Sequence, residues 1–147
     1  MSMAKKHILL VEDNPDDEAL ALRALKKSNL ANNISIARDG VEALDYIFCE
    51  GPHKERDINQ QPVVVLLDLK LPKVDGLEVL KRIKEDDRTK RMPVVVMTSS
   101  SEEQDIVSSY DFGANSYIRK PVDFNQFTEA VAQMGLYWLV MNEVPDE

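Results

Sequence analysis

The stretch VVVLLDLKLPKVDG, residues 63–76, opens with five consecutive apolar side chains, Val63 to Leu67, and then meets a carboxylate, Asp68. A strand that is apolar at every position, not at alternate ones, is covered on both faces, as in a parallel sheet with helices on each side. Two other runs share this character, Ile8 to Val11 and Val94 to Met97, while Ile34 to Ala37 and the weaker Asn115 to Arg119 read as edge strands. Helical segments fall between the runs. The first is opened by Asn14 as N-cap and Pro15 at the first helical position, with Asp16, Asp17 and Glu18 in the first turn, where acids suit the helix dipole. Further helices are expected over Gly40 to Cys49, Gly76 to Glu85, Glu102 to Tyr110 and Asp123 to Val140. Strand and helix alternate along the chain, which is an α/β layout.

The chain has 147 residues and a formal net charge of −8, with 44% hydrophobic and 30% charged residues. That length and composition fit one globular domain over residues 1–147, with a core of about 6–140, a short C-terminal tail and no output domain. The negative balance disfavours a nucleic-acid partner or an anionic membrane surface. One cysteine, Cys49, excludes an internal disulfide, and His7 and His53 are too few for a Cys/His metal cage, so a cytoplasmic setting is expected. The polar segment Glu50 to Pro62 has no apolar period and reads as a surface loop. Cys49, His7 and His53 have no neighbours in sequence that suggest chemistry, and the mixed charges from Lys81 to Arg88 read as a solvated helix face.

In open parallel α/β sheets ligands bind beyond the carboxyl ends of the strands. After the first run come Glu12 and Asp13, after the third Asp68, after the fourth Thr98, and after the fifth Lys120 followed by Pro121. Each could be a cap or a surface charge alone; their fall on one edge of one sheet is the telling observation. Clustered carboxylates repel one another and recruit a cation, and an all-oxygen set suits Mg²⁺, with Asp13 and Asp68 as the expected direct ligands. Lys120 would add a compact positive charge and Thr98 a hydroxyl donor, so the site suits a phosphoryl group, which Asp68 could accept as an acyl phosphate.

The order and spacing of ILLVEDNPDD, VVVLLDLKLPKVDG, VVVMTSS and GANSYIRKPV resemble the receiver domain of two-component response regulators over nearly the whole chain. The resemblance implies a flavodoxin-like, doubly wound fold whose five-stranded parallel sheet has the order 2-1-3-4-5, an order the chemotaxis member of the family exemplifies. It implies Asp68 as phosphoacceptor, Asp13 and the backbone carbonyl of Lys70 as further metal ligands, Glu12 as a ligand through water, and Lys120 as the phosphoryl-binding lysine. Thr98 and Tyr117 would be the switch pair, and the bond between Lys120 and Pro121 would be cis. Mg²⁺ would be the cofactor. The chain would be no conventional enzyme, but a phosphoacceptor that catalyses its own phosphotransfer and dephosphorylation.

Within that family the Gly51 to Pro62 insertion, the phrase GANSYIRKPVDFNQF and the ending GLYWLVMNE resemble single-domain regulators that serve phytochrome-type sensor kinases. A sensor histidine kinase, phytochrome-type or PAS-bearing, is then the expected partner. Lys70 departs from the Asn more common at that position in near relatives, and the family ties this side chain to phosphoryl lifetime. Two rival readings exist: a phosphorylation-independent pseudo-receiver, against which the intact site residues stand, and an Asp-nucleophile phosphatase, which needs a second Asp where this chain has Lys70. In the last helix, six consecutive apolar residues from Leu136 to Met141 encircle the helix, so its own domain can cover only one side. Tyr137, Trp138 and Leu139 are therefore the expected interface of a homodimer.

Overall fold

The computed structural model describes residues 7–27, 34–98 and 103–119, with the isolated positions 125 and 129. Within them the elements run β1 (Ile8–Val11), α1 (Pro15–Lys27), β2 (Ile34–Ala37), α2 (Gly40–Phe48), β3 (Val64–Leu67), α3 (Gly76–Glu85), β4 (Val94–Thr98), α4 (Glu103–Asp111) and β5 (Ser116–Arg119). All pairings are parallel and the strand order is β2-β1-β3-β4-β5. The doubly wound flavodoxin-like arrangement is thus present. Of the expected final helix, Asp123 to Val140, only Asn125 and Glu129 are among the described residues, both in helical conformation.

Side chains alternate across each strand, so one run of apolar residues feeds two cores. Leu9, Val11, Val65, Leu67, Val94 and Val96 pack with Ala43 and Ile47 of α2 and Val79, Leu80 and Ile83 of α3. Ile8, Leu10, Val64, Leu66, Val95 and Met97 pack with Ala21, Ala24 and Leu25 of α1 on the other face. This is why the central runs lack alternation. The edge strand β2 is only partly covered until Ala37.

Local chemistry sets the helix starts. Asn14 Oδ1 accepts from the Asp16 and Asp17 N–H groups at 2.8 and 3.2 Å, Asp39 Oδ1 from Glu42 at 2.7 Å, and Asp75 Oδ1 from Leu77 at 3.1 Å. The helix α2 stops one residue earlier than its sequence suggested, because Cys49 adopts the left-handed conformation at φ 55° and closes the helix. Beyond it the polar loop contains a 3-10 turn, Gly51–His53. Arg56 fastens this loop: its guanidinium lies 3.7 Å over the Tyr46 ring and donates to the Tyr46 carbonyl and, at 2.8 Å, to the Gln60 carbonyl. The same guanidinium comes within 3.6 Å of Cys49 Sγ, a neighbour that the sequence distance hides. His7 likewise has a role in packing, with Nε2 2.9 Å from the Tyr46 hydroxyl.

Candidate functional site

Two strand ends build the floor of the site. The Glu12 N–H donates to the Ala37 carbonyl at 3.0 Å and the Asp68 N–H to the Val11 carbonyl at 3.1 Å, so sheet hydrogen bonding continues one residue past β1 and β3 and fixes both acids. Both are buried, at 3% and 7% exposure. Carboxylate oxygens of Glu12, Asp17 and Asp68 all lie within 4.8 Å of one another. Around Asp68 the backbone turns sharply. Its Oδ1 accepts from the Lys70 N–H at 3.0 Å, and Lys73 takes φ 68° where the Val74 N–H reaches back to the Pro72 carbonyl at 2.8 Å, a tight and strained turn for a residue with a side chain.

The helix α3 must begin hard against this loop. A Cβ on Gly76 would lie 2.3 Å from the Asp68 carbonyl oxygen and 2.6 Å from Leu69 Cα, so only glycine permits the approach. The ammonium of Lys70 leans away across the surface to Asp105 Oδ2 of α4, 3.8 Å distant.

The acidic trio holds Glu12 and Asp68 together with Asp17, and Asp13 is not one of the three. Asp13 is exposed, as expected of a residue that follows inward-turned Glu12 at a strand end. Asp17 was legible in the sequence only as one of three first-turn acids; its third-residue position in α1, next to the carboxyl end of β1, is what brings it over Asp68. Thr98 ends β4, in register with Arg119 of β5, and Tyr117 pairs with Val96 and packs on the α2–α3 core. The expected Lys120, its bond to Pro121, and the interface residues Tyr137, Trp138 and Leu139 lie outside the described residues. A cavity of about 430 Å³ sits at the opposite edge of the sheet, walled by Pro62, Val63, Thr89, Met92 and Pro93, and takes no part in this arrangement.

The donor set passes a chemical test for a hard divalent cation. Three carboxylates with oxygen-only donors converge on one point, two of them buried, and such charge in a low-dielectric place calls for a positive counterpart. A strand-end aspartate thus stands within that group, backed by the close approach of Gly76 and the strained turn at Lys73.

Comparison with known proteins agrees with this architecture: residues 8–132 match the response regulator receiver domain, and the chain belongs to that family. It is the receiver domain of a response regulator of two-component signalling. Among its relatives, the probable methanogenesis regulatory protein FilR2 of Methanothrix harundinacea is 41% identical over 138 residues, which span 94% of this chain and 86% of that protein. The response regulator Rcp1 of Synechocystis is 37% identical over 95% of this chain and 93% of its own length. Its solved Mn²⁺-bound form superposes with a TM-score of 0.86, covering 95% of this chain and 99% of that one. The phosphorylated cyanobacterial phytochrome response regulator RcpA gives a TM-score of 0.88 at 41% identity, with 97% of this chain and all (100%) of that chain covered. No helix among the described residues is long and apolar enough to cross a membrane.

Proposed function

We propose that this chain accepts a phosphoryl group on Asp68 from a sensor histidine kinase and converts it into a change of its protein-binding surface. The observation that carries this reading is the convergence of Glu12, Asp17 and Asp68 at the carboxyl edge of the sheet, with Asp68 held by the Lys70 N–H. A carboxylate oxygen of Asp68 attacks phosphorus; the bond from phosphorus to the donor breaks, and its electron pair leaves with the donor group, which takes up a proton. Little more than positioning and charge neutralisation is needed, so the chain supplies its own catalysis.

Asp13, Asp68 and the Lys70 carbonyl, with Glu12 through water, would hold Mg²⁺, and Asp17 joins them as a further carboxylate at the cluster. When bound, the cation neutralises the acids and polarises a phosphoryl oxygen. Lys120 balances the remaining phosphoryl charge, and Thr98 donates its hydroxyl to a phosphoryl oxygen while Tyr117 turns inward. The relatives RcpA and Rcp1 support the phosphoryl and divalent-cation readings, since one was solved phosphorylated and the other with Mn²⁺. The phytochrome association of RcpA suggests a phytochrome-type or PAS-bearing kinase. A homodimer through Tyr137, Trp138 and Leu139 completes the proposal. Intact-mass measurement after incubation with acetyl phosphate and Mg²⁺ tests it: the parent gains one phosphoryl group and Asp68→Asn gains none, whereas equal labelling of both sinks the assignment.

A further inference from the structure

From the ion pair between Lys70 and Asp105 we infer that Asp105 is a positioning residue for phosphoryl loss: it holds the Lys70 ammonium on α4 and so keeps it off the phosphoryl group. The inference rests on the reading of Asp68 as acceptor. Lys70 lies two residues beyond Asp68 and its N–H already touches the Asp68 carboxylate at 3.0 Å, so its flexible four-carbon stem leaves the ammonium free to swing toward either anion. In this structure it points to Asp105 Oδ2 at 3.8 Å, with Lys70 64% exposed and Asp105 only 18%. Asp105 is the better fixed of the two. It stands on the third residue of α4, and its carbonyl accepts from the buried Ser109 hydroxyl at 2.8 Å.

Phosphorylation places a dianion within reach of the same ammonium. Lys70 must then divide its time between a fixed carboxylate and a phosphoryl group, and each weakens its hold on the other. In hydrolysis a water oxygen bonds to phosphorus from the side opposite the Asp68 oxygen as the bond from phosphorus to that oxygen breaks. The electron pair returns to the Asp68 carboxylate, and the water proton passes to solvent as inorganic phosphate departs. An ammonium folded over the phosphoryl both stabilises the acyl phosphate and stands where that water must enter. Asp105 therefore speeds turnover by keeping Lys70 aside.

The test follows loss of phosphoryl from the full chain after labelling with acetyl phosphate and removal of the donor. Asp105→Asn should slow hydrolysis by about two- to fivefold, the span expected of one exposed ion pair, and Asp105→Glu should restore the parent rate. In a Lys70→Gln background, Asp105→Asn should have no effect. An unchanged rate in Asp105→Asn would overturn the inference, as would an equal slowing in the Lys70→Gln background, which would place the effect in α4 itself. If the parent takes up no phosphoryl at all, the acceptor reading fails first and this inference falls with it.

Discussion

Asp68 and Glu12 owe their burial to backbone hydrogen bonds that extend the sheet beyond β1 and β3, so a carboxylate at either place is confined and close to its neighbours. Strand-end position is readable in a sequence, which is why both acids stand out after their apolar runs. Asp17 is not readable in that way, because a first-turn acid satisfies the helix dipole wherever the helix points. Only the approach of α1 to β3 shows that it joins Asp68. Asp17→Asn should weaken Mn²⁺ binding, followed by electron paramagnetic resonance of the free ion, by on the order of tenfold. Unchanged affinity would remove Asp17 from the cation site. Lys70 was legible as a departure from its near relatives; its partner Asp105, 35 positions further along by residue number, was not.

The elements were largely legible because their causes are local. The doubly buried strands β1, β3 and β4 announce themselves as unbroken apolar runs, and Asn14 is the expected cap of α1, while the caps Asp39 and Asp75 of α2 and α3 emerge from the structure. Asp39 offers a test of this level. The Glu42 N–H, and after it the Lys73 ammonium 3.4 Å away, hold its carboxyl below the usual value of 3.8. A carboxyl lowered in the folded state stabilises the fold above its unfolded pKa and loses that contribution as pH falls through the folded value. Asp39→Ala should therefore cost about 1 kcal/mol in urea unfolding at neutral pH, with the difference from the parent shrinking below pH 3.8. A cost independent of pH over that range would mean that capping charge is not the cause.

What the sequence hid at this scale depends on contacts between distant positions. Arg56 binds the loop after α2 by stacking on Tyr46, and no spacing rule links those two residues. The γ-type turn at Lys73 is equally silent, since lysine gives no hint of a positive φ. The proposed switch of Thr98 and Tyr117 also belongs here. Val96 pairs with Tyr117 and Thr98 with Arg119, so the proposed pair stands on adjacent, hydrogen-bonded strands. Thr98→Ala should still accept phosphoryl but leave the amide spectra of α4 and β5 unchanged on phosphorylation. A parent-like spectral change in that variant would refute the relay.

For the whole molecule, one parallel sheet serves two cores and leaves its carboxyl edge to the acidic cluster, and the chain carries a net charge of −8. The same charge works against self-association unless apolar surface offsets it. The proposed homodimer through Tyr137, Trp138 and Leu139 should appear in sedimentation velocity at tens of micromolar, on the order expected for a modest apolar interface. It should be lost in the pair Tyr137→Glu and Leu139→Glu. A parent that stays monomeric with and without a beryllofluoride phosphoryl mimic would remove it.

The acceptor itself can be mapped chemically, because borohydride reduces an aspartyl phosphate to homoserine and leaves free carboxylates untouched. Peptide sequencing by mass spectrometry, after acetyl phosphate, Mg²⁺ and borohydride treatment, should find homoserine at position 68 and nowhere else. Homoserine at position 12, 13 or 17 with Asp68 intact would contradict the account.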